Sequence, residues 1–142
     1  IVGPSVQNTM GRLLASHRAP VLAGFSPMMQ FMHIDDMADA IVLAYQKPVR
    51  GIFNVASDDW VAYQRALDLC GCTRIPVPSV PPVLPRLLMR TLRKRSFPAY
   101  LMDFFKYPVI IDGRAFAEEF GFKPKRPLKE IFRFYRENKK PV

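Results

Sequence analysis

The chain predicts an α/β fold, and three observations carry that prediction. The run Phe31-Met32-His33-Ile34 is a short apolar strand, and Asp35 and Asp36 follow it as acceptors for the free amides of a helix start. Met37, Ile41, Ala44 and Tyr45 then recur at i, i+4, i+7 and i+8, an apolar face that predicts an amphipathic helix packed on something. Beyond it, Ile52 to Ala56 is apolar enough for a strand buried on both faces of a parallel sheet.

The other elements follow from the same rules. A loop leads into a helix over Thr9 to Ser16 with Met10, Leu13 and Leu14 on one face, and Pro20 is expected to stop it. Val21 to Ala23 reads as a short strand, and Gly24 to Met29 as the turn before the strand at Phe31. The central helix runs from Asp36 to about Gln46, ahead of Pro48. A helix over Ala62 to Cys70 ends at Gly71 as a left-handed cap, and Ile75 to Pro78 is a short strand. From residue 81 to 107 the pattern changes: Val83, Leu84, Leu87, Leu88 and Leu92 make an amphipathic helix, and a second short helix covers Tyr100 to Phe105. Val109 to Asp112 reads as a strand ending in a helix cap, Ala115 to Phe120 as a helix closed by Gly121. Leu128, Ile131, Phe132 and Tyr135 form the last amphipathic helix, with Pro127 at its first position.

Composition bounds the function. A chain of 142 residues suits one domain able to bury roughly two thirds of its unfolded surface. Fourteen prolines imply short elements and many loops. No apolar stretch reaches the ~18 residues of a membrane span. Cys70 and Cys72 flank Gly71, too close for an unstrained disulfide and without the further soft ligands a metal would need, so no metal site is expected. Reduced cysteines fit a cytoplasmic protein. The net charge of +9 is concentrated at Arg86, Arg90, Arg93, Lys94 and Arg95, and along the last helix from Lys123 to Lys140. No aromatic is interleaved between Arg86 and Arg95, which argues against nucleic acid; the second cluster reads as a solvated face. His33 reads as a satisfied structural histidine, and Trp60 as packed under the sheet edge.

Taken in order, Ile1-Val2-Gly3-Pro4, His33-Ile34-Asp35-Asp36, Gly51-Ile52-Phe53-Asn54-Val55-Ala56-Ser57, and Asp112 through Phe120-Gly121-Phe122-Lys123-Pro124 resemble the C-terminal half of an extended short-chain dehydrogenase/reductase, the NAD(P)-dependent epimerase/dehydratase family. The resemblance implies the C-terminal part of a Rossmann-like parallel sheet plus a small α/β substrate-binding lobe over residues 1–142, with a lid over about 81–107. It places the glycine-rich turn and the catalytic Tyr-x-x-x-Lys pair upstream of Ile1, so no catalytic residue is expected here. The seven glycines indeed form no G-x-G-x-x-G.

By the same resemblance Gly3 and Pro4 lie near the nicotinamide of NAD or NADP in the full-length protein, while the chain alone binds no cofactor. Asn8 falls near a family asparagine that contacts substrate. Met29 stands where sugar-nucleotide epimerases of the family commonly carry an arginine on the substrate diphosphate, and a thioether cannot replace that charged donor. Arg86, Arg90 and Arg93 share one helical face in the lid, where they would meet a substrate anion. The expected partners are a small-molecule substrate, the N-terminal half of the same protein and a second copy in a homodimer. Two other readings stay open: a non-catalytic descendant that binds or senses, and a basic surface that meets anionic lipid or nucleic acid.

Overall fold

A computed structural model describes residues 1–78 and 103–139. The described elements are α1 (Thr9–Ala15), β1 (Arg18–Leu22), β2 (Met28–Gln30), α2 (Ile34–Gln46), β3 (Trp60–Ala62), α3 (Tyr63–Leu69), β4 (Thr73–Val77), α4 (Arg114–Phe120) and α5 (Leu128–Glu137). This is the α/β class expected. β1 and β4 pair in parallel around the α3 crossover, with Pro20 opposite Ile75, and β2 pairs antiparallel with β3. Val2 adds a parallel bridge at His33 and Val109 another at Met29, so the segment 28–34 is the spine on which three distant parts of the chain meet.

Several boundaries moved for physical reasons. Helix α1 ends at Ala15, where the Ser16 amide and hydroxyl both return to the Leu13 carbonyl, so Pro20 does not stop it and instead lies inside β1. The central strand starts earlier than its apolar letters suggest, at Met28, and Ile34 already belongs to α2. The helix cap there is His33, whose Nδ1 accepts the Asp35 amide at 3.1 Å, and not an aspartate. Pro127 is the cap residue of α5 rather than its first helical position. Gly71 and Gly121 close α3 and α4 in the left-handed conformation, as read.

Several expectations fail. Of the predicted apolar face of α2, Ala44 is exposed, as are Ile41 at 63% and Tyr45 at 91%; only Met37 packs inward, with Ala40 and Leu43, on Phe116, Phe120 and Phe122. Residues 52–56 form no strand, and Ile52 is fully exposed. Their backbone hydrogen bonds find no partner strand among the described residues. Val109 to Asp112 likewise contributes one bridge rather than a strand, and Trp60 lies exposed on β3.

The apolar interior has two parts. The larger gathers Leu14, Val21, Met29, Phe31, Tyr63, Leu67, Cys70, Ile131, Phe132 and Tyr135, with Phe31 edge-on to Phe132 at 5.6 Å. The smaller gathers Met32, Ala40, Phe116, Phe120 and Phe122 between α2 and α4. Asp36 ties the smaller part to the entry of α5: its carboxylate accepts the Lys125 and Arg126 amides and Arg126 Nη1 at 2.9–3.2 Å. No described helix is long and apolar enough to cross a membrane.

Candidate functional site

The spine places the candidate site. The Val2 amide donates to Met32 O at 2.8 Å and the Ile34 amide to Val2 O at 2.9 Å, which lays Ile1 and Val2 along one side of Phe31. Further back along the strand the Val109 amide donates to Met28 O at 3.1 Å. Asn8 caps α1 with Oδ1 on the Gly11 amide and gives Nδ2 to Ile1 O, both at 2.7 Å, and so fixes the start of the chain against that helix.

Between these parts lies a pocket of about 170 Å³ lined by Asn8, Met10, Met29, Gln30, Phe31 and Phe104, with Ile1, Val2 and Val109 completing the wall. A second depression of about 140 Å³ adjoins it across Ile1, Gln30 and Phe31 and is walled by Met32, Met37, Val55, Ser57 and Ile111. Gln30 separates the two and holds their outer walls: Nε2 donates to Ser57 O, and Oε1 accepts the Ile111 amide at 3.0 Å. Ser57 Oγ donates in turn to Phe31 O at 2.7 Å.

Two of the sequence-predicted residues, Asn8 and Met29, therefore come together in one pocket. Gly3 does not join them. It takes φ +138° in a turn closed by the Val6 amide on Gly3 O, and its own amide donates to the Tyr135 hydroxyl at 2.9 Å. Pro4 beside it is exposed. With the Gly3 amide engaged by a side chain, and no glycine-rich turn in the sequence, the residues present do not cradle a dinucleotide, so no chemical step is routed through one here. Arg86, Arg90 and Arg93, and the lid except 103–107, lie outside the described residues.

The sequence does contain one Tyr-x-x-x-Lys spacing within it, Tyr135 and Lys139. The structure pulls its two members apart. The Tyr135 hydroxyl is held by Gly3, and burial pushes its pKa up, the reverse of what a phenolate base needs. Lys139 donates instead to Leu14 O, Ser16 O and Cys72 Sγ at 2.9–3.0 Å, neutralising the end of α1. Burial likewise pushes the Cys70 thiol up to about 12, which leaves it an inert core group.

Gln30, Met10 and Phe104 were not singled out from the sequence. Strand alternation around Met29 was the available signal for Gln30; nothing in the letters brings residue 104 to residue 10. A larger groove of about 710 Å³, between β3, α3 and α5, is lined by Trp60, Leu69, Phe132, Lys129 and Arg133 and holds none of the predicted site residues.

No family model matches the chain. Over 135 residues, 95% of the chain, it is 24% identical to the uncharacterized proteins Rv0501 of Mycobacterium tuberculosis and Mb0513 of Mycobacterium bovis. The chain spans about a third of the length of these relatives, 36%. Among solved structures it is similar to a dTDP-glucose 4,6-dehydratase of Bacillus anthracis in complex with NAD, with a TM-score of 0.62 at 14% identity, covering 97% of this chain and 43% of that one. It is also similar to a UDP-glucuronic acid 4-epimerase of Bacillus cereus in complex with UDP-glucuronic acid and NAD, with a TM-score of 0.61 at 12% identity, covering 93% and 39%. At these identities the likeness shows the fold, a Rossmann-like α/β arrangement.

Proposed function

We propose that the chain is the substrate-binding, C-terminal part of an NAD(P)-dependent epimerase, dehydratase or reductase that acts on a hydroxyl or keto carbon of a nucleotide sugar or another small molecule. The observation that carries the reading is the run 52–56. It is largely apolar and ends at Ser57, which is tied to Phe31 O, yet Ile52 is fully exposed and the backbone has no strand to pair with among the described residues. An apolar run left without a partner, on a molecule that also exposes Ile41 and Tyr45, is a surface suited to receive the rest of a sheet. Coverage of less than half of each similar structure agrees with this.

In this reading the N-terminal half of the same protein supplies the dinucleotide and the catalytic pair, and the pocket of Asn8 and Met29 receives part of the substrate. Pro4, exposed at the turn, remains the contact of this chain with the nicotinamide side, with Gly3 shaping that turn. Arg86, Arg90 and Arg93 keep their place as candidates for a substrate anion. The buried, unbridged Cys70 and Cys72 support a cytoplasmic setting.

Calorimetry separates the reading from a self-contained binding or sensing protein. The 142-residue chain should bind neither NAD nor NADP at micromolar concentration, whereas the chain extended by its upstream coding sequence should bind one of them and carry a glycine-rich turn. Micromolar binding by the short chain, or an extended chain that binds neither, overturns it.

A further inference from the structure

We infer that the pocket between Asn8, Met10, Met29, Phe31 and Phe104 accepts an uncharged, apolar group of the substrate, about the size of one aromatic ring, and no phosphate. The inference rests on the reading above for the word substrate, but the chemistry of the pocket stands on its own walls. Seven of the nine lining residues are apolar, and Val2, Met29 and Phe31 are buried. The two polar side chains are already engaged with the backbone: Asn8 gives and takes one hydrogen bond with Ile1 and Gly11, and Gln30 does the same with Ser57 and Ile111.

Among the described residues no lysine or arginine lines the pocket. A phosphate placed here would lose its hydration without a charged donor in return, which costs several kcal/mol or more. An apolar occupant meets no such penalty. A volume of about 170 Å³ compares with the roughly 150 Å³ of an apolar cavity that holds benzene. Met10 and Met29 bring two flexible thioethers that adapt to an irregular ring edge.

The test uses the 142-residue chain with ¹³C-methyl methionine, at about pH 9 so that the Ile1 amine is uncharged. Benzyl alcohol should shift the Met10 and Met29 methyls saturably and leave Met28 unmoved. Inorganic pyrophosphate should shift neither. Met10→Lys, at a half-buried position whose folding circular dichroism checks, should weaken benzyl alcohol at least tenfold. Pyrophosphate shifting both methyls, or benzyl alcohol shifting all methionines alike, overturns the inference. Because no dinucleotide enters the measurement, its failure leaves the proposed oxidoreductase reading untouched, and failure of the calorimetric test leaves this one standing.

Discussion

The carboxylate of Asp36 is 1% exposed and accepts two backbone amides and the Arg126 guanidinium, while Asp35 and Asp39 reach Arg126 and Lys125 nearby. A helix-capping aspartate replaced by alanine costs about 1 kcal/mol, but here the substitution removes the buried one of the two carboxylates on Arg126 and leaves two amides some ninety positions away without their acceptor. Asp36→Ala should therefore lower stability by about 3 kcal/mol, read as the shift of the urea midpoint at unchanged slope. A loss near 1 kcal/mol would show that the link from Asp36 to Arg126 contributes no more than an exposed ion pair. Asp112, read as the cap of α4, lies one residue before it: Gly113 is the cap residue, while Asp112 Oδ1 accepts the Arg114 amide at 3.0 Å and the hydrogen bonds from Arg114 hold the carboxyl down at about 2.

Helix α2 shows how an element can satisfy its sequence pattern twice. Apolar residues populate both Met37-Ala40-Leu43 and Ile41-Ala44-Tyr45, and periodicity by itself does not say which stripe meets this core. Packing against Phe116 and Phe120 selected the first. At the other helix of that pair, Gly121 has φ +67° with open space where a Cβ would go, whereas a Cβ on Gly113 would meet the Ala56 amide nitrogen at 2.9 Å. Gly121→Ala should thus cost about 1 kcal/mol, from backbone conformation alone. Gly113→Ala should cost more, because backbone must move; thermal unfolding of the two variants gives the order, and an inverted order would show that 52–57 does not press on the start of α4.

Across the whole molecule, the two parts of the core differ in what holds them. The larger part is bracketed by α1, α3 and α5 and by the parallel pair β1–β4; the smaller is a contact of α2 with α4 whose outer stripe is bare. Native-state hydrogen exchange should find the amides of α2 and α4 opening at lower free energy than those of α3 and α5. Equal protection would mean that the Asp36–Arg126 link couples the two parts into one cooperative unit. Helix spans, left-handed glycine stops and the fold class were legible in the letters, because they depend on residues within one or two turns of each other. The site was legible by halves: Asn8 and Met29 could be marked by resemblance, but Gln30, Met10 and Phe104 enter through contacts between segments as much as 94 positions apart.

What the sequence determined by itself is the described helices and the closure of α3 and α4, since propensity, capping and periodicity act locally, whereas two expected strands did not form and β3 was not foreseen. What only the tertiary structure decided is which stripe of α2 is buried, that 52–56 has no partner strand among the described residues, and that Tyr135 and Lys139 serve Gly3 and the end of α1 instead of each other. Those outcomes turn on which distant surfaces meet. A side chain's spacing in the chain sets the face on which it sits, but hydrogen bonds and burial are settled by whatever packs against that face.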